Sequence, residues 1–225
     1  MKVYRTAGIT AVWRSMANAD GYSIKNVNPA IKIFAHILGF LDKNSVATIA
    51  QRTRIIDSII KKSSPKCVVE IGAGFSCRQA RFKGIKFYEF DLPYFQKFKK
   101  DIIPFEIGKD ELNLKIKNAL FIVEGVTMYL NEPQVLSLLS QIKKYRGSII
   151  IDFFERKNPP AKKSMREKIY KALFRLIIER DHLFDYRIEN AKHGTLLLKG
   201  MGYRNVKHYN YKIPKTLDVL FYGEL

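Results

Sequence analysis

The first 62 residues carry their apolar side chains at helical spacing. Ile31, Phe34 and Leu38 recur every three or four residues, which places them on one face of a helix. Further apolar residues continue this spacing in the stretch that follows. The pattern predicts a helical N-terminal cap over residues 1–62, with one helix capped by Asn28 before Pro29 and the next capped by Ser45.

From residue 66 the apolar positions form short runs that alternate with helical stretches. The runs predict seven strands at about 68–71, 86–90, 104–107, 119–123, 147–154, 203–209 and 217–222. Alternating strands and helices predict an α/β fold, with a mostly parallel sheet and helices on both of its faces. The final two runs are joined by a short link, so the last strand is expected to be antiparallel.

A basic helical insertion interrupts this alternation after the fifth strand. It is expected over residues 155–186 and contains the Asn-Pro-Pro sequence at 158–160. No repeat, low-complexity tract or linker divides the chain. A single domain over residues 1–225 is therefore predicted.

The first predicted strand ends in a glycine turn. Glu70 lies just before the end of the strand, and Gly72 and Gly74 follow directly. Glycines at the carboxyl end of a parallel strand let a ligand approach the backbone closely. A carboxylate before the glycines repels phosphate but not the ammonium and sulfonium of S-adenosylmethionine (SAM), so the pattern favours a SAM site. The simpler alternative is a tight turn that binds no ligand.

The net charge of the chain is unusually large for its size. The 225 residues include 40 Lys and Arg against 21 Asp and Glu, which gives a formal charge of +19. Such a field attracts nucleic acid, anionic membranes or acidic substrates. The alternative is a lysine-rich sequence with solvated helix faces, and the dispersed lysine clusters do not decide between the two.

Other bulk features limit the class of protein. A hydrophobic fraction of 47% is that of a globular protein. The apolar stretch at 31–41 is too short to span a bilayer, so no transmembrane segment is predicted. The N-terminus lacks a charged-then-apolar leader, and cytoplasmic location is expected. Cys67 and Cys77 do not make a disulfide framework, and no metal site is predicted.

Several segments together match one protein family, in the family's order. They are 6–14, 52–57 (Arg-Thr-Arg-Ile-Ile-Asp), 68–75 (Val-Val-Glu-Ile-Gly-Ala-Gly-Phe), 88–93 (Tyr-Glu-Phe-Asp-Leu-Pro) and 124–130 (Glu-Gly-Val-Thr-Met-Tyr-Leu). In these segments the chain resembles the leucine carboxyl methyltransferase family of class I SAM-dependent methyltransferases. The resemblance implies a Rossmann-like methyltransferase fold and SAM as the cofactor.

The resemblance assigns the amino-acid end of SAM to charged residues. In the family a basic residue on the N-terminal helix and an arginine before the first strand hold the SAM carboxylate, and these positions match Arg14 and Arg52. Arg54 is a neighbouring alternative to Arg52. A guanidinium suits this role because it can bind a carboxylate through two parallel hydrogen bonds. Glu124, at the end of the fourth strand, can take the SAM ammonium.

The resemblance also assigns the nucleoside end of SAM. Asp91, at the carboxyl end of the second strand, can accept both ribose hydroxyls, and it can also cap the helix expected over 93–100. Glu106 matches the acid near the adenine amine, although Ile107 replaces the leucine that usually follows. The implied cofactor-binding residues are Arg14, Arg52, Glu70, Gly72, Gly74, Asp91, Glu106 and Glu124.

The chain departs from the family directly after the glycine turn. The usual Asp-Thr-Arg sequence reads Ser76-Cys77-Arg78, so the arginine is kept and the aspartate is lost. Any contact that the family makes through that aspartate is in doubt here.

The sequence does not single out a catalytic residue. Tyr129 can line the acceptor pocket, and His182 or His193 can act as a base near the substrate entry, although packing and capping are alternative roles. His36 lies on an apolar helix face and is expected to be structural. A carboxylate or phenolate acceptor needs little or no base, whereas a neutral hydroxyl needs one.

Three functions remain open at this point. The first is SAM-dependent O-methylation of a small-molecule or protein carboxylate or hydroxyl. The second is methylation of RNA such as tRNA, suggested by the net charge and the basic stretch 162–175. Against it, the Asn/Asp-Pro-Pro-aromatic motif of amino-methylating enzymes is missing after the fourth strand. The third is SAM binding without transferase activity.

Overall fold

The computed structural model describes residues 3–17, 24–156, 165, 169–170, 172–173, 185–211, 213 and 216–225. Most of the insertion predicted over 155–186 lies outside these residues, and so does His182. Every structural statement below concerns the described residues.

Three helices form the predicted N-terminal cap: α1 (Val3–Met16), α2 (Pro29–Leu41) and α3 (Lys43–Ser63). Asn28 caps α2 as predicted, because its side chain accepts a hydrogen bond from the Ala30 N–H at 2.8 Å. The prediction that Ser45 caps the next helix is wrong. Asp42 is the cap, and its Oδ1 accepts from the Ser45 N–H at 3.1 Å. The helix therefore begins three residues earlier than a cap at Ser45 predicts.

A seven-stranded sheet follows the cap, as the sequence predicts. Its strands are β1 (Cys67–Ile71), β2 (Lys86–Asp91), β3 (Ile103–Pro104), β4 (Leu120–Val123), β5 (Ser148–Phe154), β6 (Arg204–Asn210) and β7 (Asp218–Glu224). Their order across the sheet is β3-β2-β1-β4-β5-β7-β6. The first five strands are parallel, and β7 runs antiparallel to both of its neighbours. The predicted fold class, a Rossmann-like α/β sheet with an antiparallel last strand, is confirmed.

The direction of β7 matters for the site. Because β7 is antiparallel to β5, its first residue, Asp218, lies opposite Phe154 at the end of β5. The carboxyl ends of β1, β2, β4 and β5 and the start of β7 therefore meet at one edge of the sheet. Ligands bind at this edge in open α/β sheets.

The remaining helices connect the strands. They are α4 (Arg78–Arg81), α5 (Glu132–Lys143) and α6 (Ala191–Gly200), with short 3₁₀ helices at Pro93–Lys97 and Thr127–Tyr129. The helix expected over 93–100 is thus a shorter 3₁₀ helix. Asn131 caps α5 and forms a capping box with Gln134.

Apolar residues fill both faces of the sheet. One face packs Phe121, Ile149 and Phe221 with α5 and α6, and the other packs Ile122 and Ile150 with α3. All of these strand residues are buried. Among the described residues, no helix is both long and apolar enough to cross a bilayer.

Candidate active site

A cavity of about 1100 Å³ lies between the carboxyl edge of the sheet and the helical cap. All eight residues that the sequence assigned to the cofactor line it, and so does Tyr129. The cap contributes further lining residues from α1 and α3, among them Thr6, Trp13 and Thr48. The tertiary structure thus brings together residues that are far apart in the sequence.

The glycine turn is built so that only glycine fits. Gly72 has φ +72° and Gly74 has φ +53°, a backbone region that residues with a Cβ rarely adopt. A Cβ at Gly72 would lie 2.2 Å from Val126 Cγ2. The neighbouring strand β2 also fixes the turn, since the Gly72 N–H donates to the Phe90 carbonyl at 2.8 Å. The backbone therefore passes close to the cavity in a fixed conformation.

Asp91 holds this turn from the neighbouring strand. Its Oδ2 accepts from the Gly74 N–H and its Oδ1 from the Leu92 N–H, each at 2.7 Å. Burial raises the pKa of Asp91 to about 6, although these N–H groups lower it in part. Both oxygens retain lone pairs that can accept ribose hydroxyls. Its side chain does not cap the 3₁₀ helix that follows, whose cap residue is Leu92.

Three guanidinium groups surround Glu124. Arg14 contacts its Oε1, Arg52 Nε donates to the same oxygen at 3.0 Å, and Arg78 Nη2 donates to Oε2 at 2.7 Å. Burial by itself raises the pKa of Glu124, but the three guanidiniums hold that pKa well below its usual range. Glu124 is therefore a stable carboxylate on the cavity wall.

Arg52 also reaches two aspartates on the other side of the site. Its Nη1 donates to Asp152 Oδ2 at 2.6 Å and to Asp218 Oδ2 at 2.7 Å. Asp152 accepts the Gly125 N–H as well, at 2.9 Å and 3.0 Å. Burial raises the pKa of Asp218 to about 7, although Arg52 lowers it. The other oxygen of this residue, Oδ1, is buried and has no hydrogen-bond partner among the described residues.

Arg78 links the glycine turn to the rest of the network. It is 1% exposed. Its Nη1 donates to Glu70 Oε1 at 2.6 Å, and its Nε donates to Asp57 Oδ1 at 3.1 Å. Ser76, which stands where the family usually has aspartate, donates to Glu70 Oε2 at 2.8 Å. Both oxygens of Glu70 are thus held by residues that follow the turn.

The cavity differs in charge from the molecule as a whole. Six carboxylate residues line it against four cationic ones, although the whole chain carries +19. The acids are Asp42, Glu70, Asp91, Glu106, Glu124 and Asp218, and the bases are Arg14, Lys43, Arg52 and Arg78. A lining rich in carboxylates suits a cationic ligand such as a sulfonium.

The structure separates the remaining sequence candidates. Arg54 does not line the cavity and instead donates to the Ala17 carbonyl at 2.9 Å, so Arg52 is the arginine that faces the site. Glu106 lines the cavity but is more exposed and pairs with Lys109 at 2.8 Å. His193 lies at the start of α6, outside the cavity lining, where its Nδ1 accepts from the Glu189 N–H.

The structure also defines the surroundings of Tyr129 and His36. Tyr129 lines the cavity, and burial raises its pKa to about 12 although the Thr6 side chain bonds to it and lowers that pKa. It therefore keeps its proton at neutral pH and can donate a hydrogen bond. His36 was expected to be structural, but it is exposed on α2, where its Nδ1 lies 2.7 Å from the Lys32 carbonyl oxygen.

Sequence reasoning missed two aspartates and gave Arg78 no role in the site. Asp152 and Asp218 contact Arg52, and Arg78 contacts Glu124. A charged residue inside an apolar strand run, as at Asp152 in β5, is the signal that could have found the first of them. Asp218 carries no such local signal, because its position depends on the direction of β7.

Comparison with known proteins finds one matching family and several proteins of similar fold. The family model of leucine carboxyl methyltransferase matches residues 15–115. A candidate methyltransferase from Thermobifida fusca YX superposes with a TM-score of 0.58 at 7% identity, covering 96% of this chain and 93% of that one. A candidate O-methyltransferase from Nostoc punctiforme PCC 73102 gives 0.51 at 12% identity, over 99% of this chain and 69% of that one.

Further comparisons show how low the sequence identity of these similarities is. The methyltransferase SibL has 13% identity and a TM-score of 0.49, and this chain spans 62% of its length. No curated protein matches the sequence. The structural matches are too low in identity to show more than the fold.

The chain has the Rossmann-like fold of SAM-dependent methyltransferases, and its family match covers residues 15–115, less than half of its length. Within that class, the match over residues 15–115 confirms the resemblance to the leucine carboxyl methyltransferase family.

Proposed function

We propose that this protein is a SAM-dependent O-methyltransferase that acts on a carboxylate or hydroxyl of a small molecule or protein. The observation that carries the proposal is Glu124, a buried carboxylate held by three guanidiniums beside the glycine turn. One small region thus offers cations for a carboxylate and an anion for an ammonium. The amino-acid end of SAM carries these two groups.

The residues present fit the whole cofactor. Arg14 and Arg52 would hold the SAM carboxylate, and Glu124 would take the ammonium. Asp91 would accept the ribose hydroxyls with the lone pairs that its two N–H contacts leave free. Glu106 would lie toward the adenine amine. The cradle is the glycine turn, where a Cβ at Gly72 would strike Val126.

The charge network would adjust when the cofactor binds. In the structure, the guanidinium groups of Arg14 and Arg52 are both paired with Glu124. A ligand carboxylate would share these guanidiniums, while its ammonium would compensate Glu124. Arg78 would keep Glu124 oriented, because it contacts the opposite oxygen and is anchored by Glu70.

The acceptor chemistry follows from the groups that face the cavity. SAM supplies a methyl group on a sulfonium, and the enzyme has to align a nucleophile opposite the sulfur. Tyr129 would orient the acceptor oxygen by donating a hydrogen bond, because its pKa is raised to about 12. A neutral hydroxyl acceptor would also need a base.

The family match and the fold support methyl transfer, and three points favour oxygen as the acceptor atom. The family resemblance is to enzymes that methylate carboxylates. The sequence after β4 reads Glu124-Gly125-Val126 and has no Asn/Asp-Pro-Pro-aromatic motif. The N. punctiforme structure is described as that of a candidate O-methyltransferase, although that likeness shows only the fold.

The net charge of +19 favours RNA as a second candidate acceptor. Against this candidate, the cavity lining carries more carboxylates than cations, and carboxylates repel the phosphates of a bound nucleotide. A basic outer surface with an acidic cavity fits an anionic docking partner better than an anionic substrate inside the cavity.

The proposal is tested by binding first and transfer second. Isothermal titration calorimetry with SAM should show one site per chain. Labelled methyl transfer from SAM should then be measured with panels of carboxylic acids, phenols and C-terminal peptides, and with tRNA in parallel. Incorporation into tRNA alone would replace O-methylation with the RNA function, and absence of SAM binding would overturn both. SAM binding without transfer to any panel would favour a SAM-binding protein without transferase activity.

A further inference from the structure

The outer face of α2 is apolar although it faces solvent. Ile33 is 65% exposed, Ile37 47% and Phe40 69%. His36 is the only titratable residue among the exposed positions of this helix, and the helix contains no acid. A helix normally turns its polar side to solvent, so three large apolar side chains on the exposed side of α2 indicate a surface that another molecule covers.

The end of α1 adds a further exposed apolar residue next to α2. Met16 is 40% exposed, and its Cε lies 3.1 Å from the position that a Cβ on Gly39 would occupy. We call Met16, Ile33, Ile37 and Phe40 the α2 patch. It holds four of the eight exposed large apolar side chains in the described part of the chain, so the exposure is concentrated rather than scattered.

A shallow apolar groove extends the α2 patch toward α3. The groove has a volume of about 770 Å³, and Phe40 and Met16 form one side of it. The other apolar lining residues are Ala17, Gly39, Val46, Ala47, Ala50 and Ile213. Lys43 and Arg54 are the charged residues in its lining, and no acid lines it among the described residues.

Lysines flank α2 in the sequence. Lys25, in the turn before α2, and Lys43, the first residue of α3, are exposed, and Lys32 is half-buried on the helix itself. The nearest acid, Asp42, is engaged as the cap of α3 through both of its oxygens. The whole chain adds a field of +19. Apolar side chains flanked by lysines match a bilayer, which has an apolar interior beneath an anionic surface.

We propose that the α2 patch docks this protein on an anionic lipid membrane, with α2 lying in the plane of the interface. Phe40, Ile33 and Ile37 enter the boundary between headgroups and acyl chains, and the flanking lysines contact the anionic headgroups. The lysine clusters elsewhere on the chain add long-range attraction to an extended negative surface. Docking of this kind does not depend on the proposed methyl transfer.

Docking would also orient the candidate active site. Lys43 lines both the groove beside Phe40 and the large cavity. The part of the cavity at the junction of α2 and α3 therefore lies beside the docked helix.

The test is co-sedimentation of the full chain with lipid vesicles. Wild-type protein should sediment with vesicles of phosphatidylcholine mixed with phosphatidylglycerol, and much less with phosphatidylcholine alone. Phe40→Asp and Ile33→Asp should each weaken this binding by about tenfold or more, because each removes apolar burial and adds a repelled charge. Leu196→Asp is the matched control, since Leu196 is 57% exposed on α6, away from the patch, and it should bind as wild type does.

Several results would overturn the proposal. Wild-type protein that ignores anionic vesicles would do so, and so would Phe40→Asp protein that binds them as well as Leu196→Asp does. Equal competition by free glycerol phosphate would show a headgroup or phosphate site rather than docking on a membrane. A wild-type dimer that Phe40→Asp converts to a monomer, without vesicle binding by either, would make the patch an interface between copies. Thermal unfolding of each variant shows whether it is folded.

Discussion

Asp218 accepts a hydrogen bond from Arg52 at 2.7 Å, although 166 residues separate them in the sequence. Arg52 comes from the helical cap, and Asp218 is the first residue of the antiparallel last strand. The same guanidinium reaches Glu124 at the end of β4. One side chain thus links the cap to two strands at the same edge of the sheet, on the wall of the candidate active site.

Replacement of Arg52 should therefore affect both ligand binding and stability. Arg52→Ala should weaken SAM binding by roughly tenfold to a hundredfold, because a charge-assisted contact is worth about 1.5–3 kcal/mol. It should also lower the free energy of unfolding by about 3–5 kcal/mol, since it leaves buried carboxylates without their partner. Calorimetric titration with SAM and chemical denaturation measure the two effects.

Arg54→Ala is the matched control for that variant, because Arg54 lies two residues from Arg52, outside the cavity lining, and donates to the Ala17 carbonyl. It should change stability by no more than about 0.5 kcal/mol and leave SAM affinity unchanged. If Arg54→Ala weakened SAM binding as much as Arg52→Ala, the assignment of the site arginine would be reversed.

The glycine turn should not accept alanine at its first glycine. Gly72→Ala should destabilise the protein by more than Gly84→Ala, and it should weaken SAM binding. Both positions have positive φ, but a Cβ at Gly84 meets nothing within 4 Å, whereas at Gly72 it meets Val126. Gly84→Ala should cost about 1–2 kcal/mol from the backbone conformation alone. Thermal unfolding of the two variants separates backbone strain from collision.

A second replacement checks the cause of that difference. Gly72→Ala combined with Val126→Ala removes the methyl group that the new Cβ strikes. The double variant should recover part of the lost stability, relative to the sum of the two single effects. If the loss in the double variant were simply the sum of the two single losses, the collision between the new Cβ and Val126 would be relieved in another way.

Arg78 should be more important for stability than its neighbour Arg81. Arg78→Met should cost about 3–5 kcal/mol, because it leaves Glu70 and Glu124 buried without this partner. Arg81→Met should cost no more than about 1 kcal/mol, because Arg81 is one-third exposed although it shares Asp57 with Arg78. Urea denaturation of both variants tests the contrast, and equal losses would refute a central role for Arg78.

The buried carboxyl of Asp91 should make stability depend on pH. Its pKa is raised from 3.8 to about 6, so the folded protein holds this proton more tightly than the unfolded chain does. The resulting stabilisation is fully present below pH 3.8 and is lost as the pH rises through about 6. Over this window, wild-type protein should lose stability relative to Asp91→Asn, which has no proton to release.

The measurement is the melting temperature of both proteins across that pH range. A constant offset between wild type and Asp91→Asn would reflect the lost hydrogen-bond acceptor alone. It would show that Asp91 does not titrate in this window. A difference that changes through the window, with the sign given above, supports the raised pKa.

Much of the fold was readable from the sequence because it depends on local rules. The seven apolar runs became seven strands, and Asn28 and Asn131 cap the helices that they precede. Local rules were insufficient where neighbouring side chains compete. Asp42 rather than Ser45 caps α3, since an aspartate three residues before the serine can accept its N–H.

The residues of the candidate site also fall into two groups, those that a local pattern predicted and those that only tertiary contacts bring together. The glycine turn and the acids at the ends of β2 and β4 were predicted, because a strand that ends in glycine or acid is a local pattern. The convergence of Arg78, Asp152 and Asp218 was not predicted, because each contact joins residues from separate elements. His193 was a candidate by its place in the sequence, and the position of α6 leaves it outside the cavity lining.

The sequence by itself determined the order of helices and strands, the glycine turn and the net charge of +19, since these depend on residue type and short-range spacing. Only the tertiary structure decided which charges meet, because the direction of β7 and the docking of α3 bring Asp218 to Arg52. It also decided which apolar side chains face solvent. The apolar residues of α2 predict a helix, but only packing against α1 and α3 shows that Ile33, Ile37 and Phe40 are left facing solvent.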